Sequence, residues 1–132
     1  AEKKETMPPV TIHNLYNTKG ILLKYRQSVL DKYQNILKYL ETSPEKPTFV
    51  FGAHVFSQVP LAFVPELVPY ITGIIDNDPT KLGKRLYGFD LNVRSSADLV
   101  NIPFPRVIVD AAQYNEEVIA TILAANPNTE IL

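Results

Sequence analysis

The chain is 132 residues long, 45% hydrophobic and 20% charged, a balance that suits one folded domain around one core and excludes wholesale disorder. Its 13 basic and 14 acidic residues are interspersed and nearly cancel, so the composition gives no basic face for nucleic acid or for an anionic membrane. Cysteine is absent, which excludes disulfide staples and thiolate chemistry.

Residues 1–19 read as a flexible lead-in, charged at the start and interrupted by Met7, Pro8 and Pro9. No secretory signal is visible there, and the most apolar stretch, 59–68, is broken by Pro60, Pro65 and Glu66. It is too short and too interrupted to span a bilayer, and the expectation is a cytoplasmic protein. Residues 20–47 form a helix and a linker. Leu22, Leu23, Val29, Leu30, Tyr33, Ile36, Leu37 and Leu40 recur at steps of three and four with polar residues between them, the pattern of an amphipathic helix over 21–40. Such a helix is about 30 Å long at roughly 1.5 Å per residue. Pro44 and Pro47 close it.

Residues 48–132 alternate strand and helix signals. The run 48–51 is short, apolar and rich in β-branched or aromatic residues, as a strand covered on both faces requires. A helical stretch over 56–67 leads to a second strand over 71–75. The run 90–94 is a short third strand, and Ser95 or Ser96 caps a helix over 96–101 with Asp98 in its first turn. Residues 106–109 form the next strand. A helix follows over 114–125, with Glu116 and Glu117 in its first turn, and 130–132 is a last edge strand. This order predicts an α/β fold: a Rossmann-like three-layer sandwich with a mostly parallel sheet, preceded by the long N-terminal helix.

Chemistry-bearing residues gather where strands end. Gly52 and Ala53 follow the first strand at once, and Asp76 ends the second, 24 residues after Gly52. In dinucleotide folds an acidic residue at that place accepts from a ribose hydroxyl. The glycine signature is incomplete, because the loop reads Gly52-Ala53-His54-Val55-Phe56-Ser57. His54 and Ser57 can donate to phosphate, yet His54 and Phe56 fill space that a pyrophosphate needs. The other reading of this loop is a tight strand-to-helix turn. Asp76, Asn77 and Asp78 supply acceptors for sugar hydroxyls, with Lys81, Lys84 and Arg85 to neutralise phosphate; equally, they suit a solvated turn in which an Asx residue caps a short helix starting at Pro79. Tyr114 and Asn115 lie beyond the fourth strand, either at the ligand-binding edge or as a helix cap with a packed ring. Asp110 is the other acceptor there. His13 and His54 are far apart and carry no metal-ligand spacing, so neither a metal nor a catalytic constellation is expected.

The segments Phe51-Gly52-Ala53-His54-Val55-Phe56-Ser57-Gln58, Asp76-Asn77-Asp78-Pro79-x-Lys81-x-Gly83-Lys84-Arg85-Leu86-Tyr87-Gly88 and Tyr114-Asn115-Glu116-Glu117 resemble, in order and spacing over 48–132, the C-terminal domain of the sugar-nucleotide C-methyltransferase family. The resemblance implies a Rossmann-like unit that helps hold a nucleotide sugar. It also implies that S-adenosylmethionine and the catalytic residues belong to another domain of a full-length relative, with no cofactor bound by this one. The expected partner is therefore a nucleotide or nucleotide sugar; a homodimer through residues 21–40 is the second expectation, against the alternative that this helix folds back over the sheet.

Overall fold

A computed structural model describes the backbone of residues 12–132 and the side chains of 27–132 apart from Phe56 and Ala112. Residues 1–11 of the expected lead-in lie outside the described residues, as do the side chains of His13, Leu22 and Leu23. Among the described residues three α-helices, α1 (Ile12–Thr42), α2 (Val55–Phe63) and α3 (Asn115–Ala125), accompany five strands: β1 (Thr48–Phe51), β2 (Gly73–Ile75), β3 (Val93–Arg94), β4 (Arg106–Ile108) and β5 (Glu130–Ile131). All neighbouring strands run parallel in the order β3-β2-β1-β4-β5. The result is an α/β fold whose strand order is compatible with the Rossmann-like expectation.

Strand residues divide between two cores by the period of two. Val50, Ile74, Val93 and Ile108 face one side with Leu61, Val64 and Leu67, whereas Phe49, Ile75, Val107 and Val109 face the other with Leu99 and Ile122. The chain leaves β1 for β2 in one direction across the sheet and leaves β4 for β5 in the opposite one. Right-handed connections then demand that the connecting helices lie on opposite faces. They do: α2 joins the first core and α3 the second.

Local chemistry explains where element bounds depart from the pattern in the sequence. The helical stretch over 56–67 is two elements, because α2 stops at Val64, whose φ of −125° and ψ of 70° leave the helical region, and Pro65 starts a separate 3-10 turn over Pro65–Tyr70. The 96–101 segment is 3-10 rather than α. Ser95 caps it, its Oγ accepting from the Ala97 amide at 3.2 Å. The third strand is only two residues long, since 84–93 doubles back on itself: Val93 N donates to the Lys84 carbonyl and Leu86 N to the Leu91 carbonyl, with an antiparallel bridge between Arg85 and Asn92.

The face of α1 nominated for self-association is spent on the core over its described part. Val29, Tyr33, Ile36 and Leu40 are at most 8% exposed and pack with Val50, Leu61 and Ile108. The physical reason is coverage. The helices assigned to the two faces left the β4–β5 half of one face bare, since α2 serves β1 and β2 there and α3 lies on the other side; α1 fills the gap, reaching Val109 through Lys32 and Glu130 through Tyr39. Truncating Leu40, which is fully buried, to alanine is expected to cost about 2–5 kcal/mol by urea unfolding. A loss below about 0.5 kcal/mol, the size of a surface change, would show that α1 does not belong to the core.

Candidate functional site at the carboxyl edge of the sheet

The strand order reverses between β1 and β4, so their carboxyl ends diverge into the crevice where open α/β sheets bind ligands. Gly52 to His54 follow β1 there, and Asp110 and Ala111 lead from β4 toward α3, with Asp110 near enough to His54 to act on its charge. Gly52 has φ of 101°, a conformation that side-chain-bearing residues avoid, and a Cβ there would run into the His54 imidazole. The imidazole therefore lies over the glycine, in the space that a close-approaching pyrophosphate would use.

Asp76 holds the first turn in place. One carboxylate oxygen, Oδ2, accepts from the Ala53 amide at 2.9 Å and pairs with Lys81 at 3.5 Å, while Oδ1 accepts from the Asp78 amide at 2.9 Å. The residue at the ribose-reading position thus ties the β1 turn to the β2 exit. Ser57 is similarly engaged: it is buried and its hydroxyl donates to the Phe51 carbonyl at 3.3 Å. Asn77 Oδ1 accepts from the Ser96 amide at 2.9 Å and the Ser95 hydroxyl at 3.3 Å, fixing the β2 exit to the turn after β3. Asp78 folds an Asx turn over Thr80, accepting from its amide at 3.0 Å and its hydroxyl at 2.8 Å; these bonds, chiefly the hydroxyl's, hold its carboxyl below the usual value. Asn115 Oδ1 accepts from the Ala111 amide at 2.6 Å, whereas the Tyr114 ring is 57% exposed at the mouth of the crevice.

Beside this crevice the 84–93 hairpin encloses a second concavity. A cleft of about 170 Å³ is lined by Ala53, Gln58, Lys81, Lys84, Arg85 and Tyr87 among others. Gly83, with φ of 76°, makes the turn that starts the hairpin, and Gln58 Nε2 donates to the Tyr87 carbonyl at 3.4 Å. Three cations thus converge on one cleft. Lys81 is paired with Asp76 and Arg85 with Asp90 at 3.4 Å, while Lys84 has no ion pair among the described residues. Tyr87, 86% exposed, presents its ring beside them.

The structure brings Gly52, Ala53, His54, Asp76 and Lys81 together, with Lys84 across the hairpin cleft; Tyr114 and Asn115 stand at the β4 side of the crevice, and Asn77 and Asp78 turn toward the β3 side. Sequence reasoning missed three neighbours. Lys32 of α1 reaches the Val109 carbonyl at 3.1 Å, and Gln58 and Tyr87 line the hairpin cleft. Only packing brings Lys32 there, whereas Tyr87 sat inside the 76–88 segment and was visible as an aromatic amid lysines. Among the described residues no three His, Cys, Asp or Glu side chains gather to hold a metal ion, and no helix is long and apolar enough to cross a membrane.

An α/β domain with an all-parallel five-stranded sheet, its polar loops gathered at the carboxyl edge, is the class that this architecture defines. No protein-family model and no curated protein matches the chain.

Burial pushes the His54 pKa down, Lys81 adds to the shift, and Asp76 and Asp110 oppose it. The unfolded chain takes up the proton first, near the ordinary value of 6.5, so the folded state is favoured above that pH and loses this contribution as pH falls through it, until the folded imidazole also titrates. Melting temperature measured from pH 7.5 down to 5 is therefore expected to fall less in His54→Gln than in the wild type. Equal slopes would remove His54 as the linked group.

Proposed function

We propose that this chain is a nucleotide or nucleotide-sugar binding module of a methyltransferase-like protein, without catalytic activity of its own. The observation that carries the reading is the adjacency of the β1/β4 crevice and the cationic hairpin cleft: Lys81, Lys84 and Arg85 offer positive charge for a diphosphate, and Tyr87 and Tyr114 offer exposed rings for a base or sugar. The resemblance of the 76–88 segment to the nucleotide-sugar-holding domain supports the same ligand class. In this reading the phosphates lie against the hairpin rather than on the glycine turn, since the Ala53 amide is taken by Asp76 and the imidazole of His54 covers Gly52. S-adenosylmethionine and the methyl-transfer machinery belong to another domain of the assembly.

A second reading, a structural domain whose ligand site has closed, is favoured by the same internal bonds of Asp76, Ser57 and Asn77. Calorimetric titration with nucleoside diphosphates and their sugar conjugates separates the two. Binding is expected in the wild type, weakened at least about tenfold by Lys84→Glu with Arg85→Glu, as loss of charged hydrogen bonds worth about 1.5–3 kcal/mol each implies. No heat and no shift in melting temperature at millimolar ligand would select the structural reading.

A further inference from the structure

The opposite, amino-terminal edge of the sheet carries a further concavity, independent of the nucleotide reading. A cleft of about 290 Å³ opens there, lined by Lys46, Phe104, Arg106, Pro127, Asn128 and Glu130 among others. Arg106 begins β4, Glu130 begins β5, and the parallel register sets them side by side. Opposite charges on adjacent strands ordinarily pair across the interstrand spacing of about 4.8 Å. Here they form no ion pair.

Each charge is held by a different partner. Arg106, 1% exposed, donates from Nε to the Thr48 hydroxyl and from Nη2 to the Ser43 and Lys46 carbonyls, all at 2.9 Å. Those carbonyls follow the carboxyl end of α1, whose dipole favours a cation. Glu130 accepts from the Tyr39 hydroxyl at 2.7 Å, and this bond is the main cause of the raised Tyr39 pKa. Capacity remains on both: Arg106 Nη1 and Glu130 Oε1 have no hydrogen-bond partner among the described residues. A buried guanidinium with donors left over, facing a cleft, is a preformed oxyanion site.

The rim adds an apolar contact held under strain. Phe104 is 63% exposed with φ of 48°, a left-handed conformation that β-carbon-bearing residues avoid and that the following Pro105 disfavours further. Residues held in strained backbone conformations cluster at ligand sites.

We propose that this cleft binds a small zwitterion, an α-amino acid with an apolar or aromatic side chain. Its carboxylate meets Arg106 Nη1 and Lys46, its ammonium meets Glu130 Oε1, and its side chain lies against Phe104 and Pro127. A simple anion would face the Glu130 charge, and a simple cation would face Arg106 and Lys46; a molecule carrying both ends satisfies both walls. The volume of about 290 Å³ falls just short of the ligand-pocket range of roughly 300–1,000 Å³, which suits an amino acid better than a dinucleotide.

Titration of the full chain with phenylalanine, followed by amide chemical shifts, is the test, with N-acetylphenylalanine and phenethylamine as probes lacking the ammonium charge and the carboxylate. Saturable shifts are expected around residues 104–106 and 127–130, with at least about tenfold weaker binding of either analogue and a similar loss in Glu130→Gln, as expected for a charged hydrogen bond. Phe104→Gly is expected to weaken binding while its melting temperature holds or rises, because glycine accepts the positive φ. That combination separates a ligand contact from a merely structural one. Equal binding of N-acetylphenylalanine, wild-type affinity in both variants, or no saturable shift at those residues at millimolar phenylalanine would each overturn the proposal.

Discussion

The handedness of the connections between parallel strands governs this molecule. A twisted strand followed by a helix returns to the sheet in a right-handed sense, so a chain that builds outward from β1 to β3 and then resumes at β4 must move its helices to the other face. From that reversal follow the two cores, one with α2 and one with α3, and the crevice where β1 and β4 part. It also leaves half of one face uncovered. The described part of α1 closes that half with Val29, Tyr33, Ile36 and Leu40, which makes it a structural layer of the domain.

At the carboxyl edge, holding the loops and offering groups to a ligand draw on the same atoms. Asp76 spends both oxygens on Ala53, Asp78 and Lys81, and Asn77 spends its carbonyl oxygen on the start of the 96–101 turn. The three exits from β1, β2 and β3 are thereby laced together by side chains. Groups free of such duties stand further out, on the 84–93 hairpin and at Tyr114, where exposure is high and backbone support comes from the hairpin's own bonds. This division leaves the exposed cationic and aromatic groups on the periphery of a braced edge.

The amino-terminal edge is organised differently. Among the described residues Arg106 is the largest of the fully buried side chains, and its charge is met by carbonyls at the exit of α1 and by a hydroxyl rather than by a carboxylate. A buried charge is tolerable only when its donors are largely satisfied. Arg106 thus pins the α1–β1 linker to β4 and fixes how the helix approaches the sheet, so the two edges are built on different interactions: a carboxylate lacing loops at one, a guanidinium gathering carbonyls at the other.

The alternation of short apolar runs with amphipathic stretches was enough to read an α/β fold with parallel strands, because burial on both faces imposes continuous hydrophobicity on each strand and a one-sided stripe on each helix. Gly52, Asp76 and the 76–88 segment were legible as special because tight turns and Asx geometry demand particular residues locally. The same local pattern is silent on which oxygen an aspartate will satisfy, and both the staple made by Asp76 and the imidazole over Gly52 depend on how β1 and β2 sit in register. Nor does periodicity say against what an apolar stripe packs; for Val29, Tyr33, Ile36 and Leu40 of α1 it was the assembled sheet that supplied the partner. Arg106 and Glu130, 24 residues apart in sequence, carried no signal at all, since only strand register brings them side by side. Local steric and hydrogen-bonding preferences are written residue by residue and so determined the elements, whereas pairing across the sheet is a property of the assembled layers, and it alone decided which charges meet.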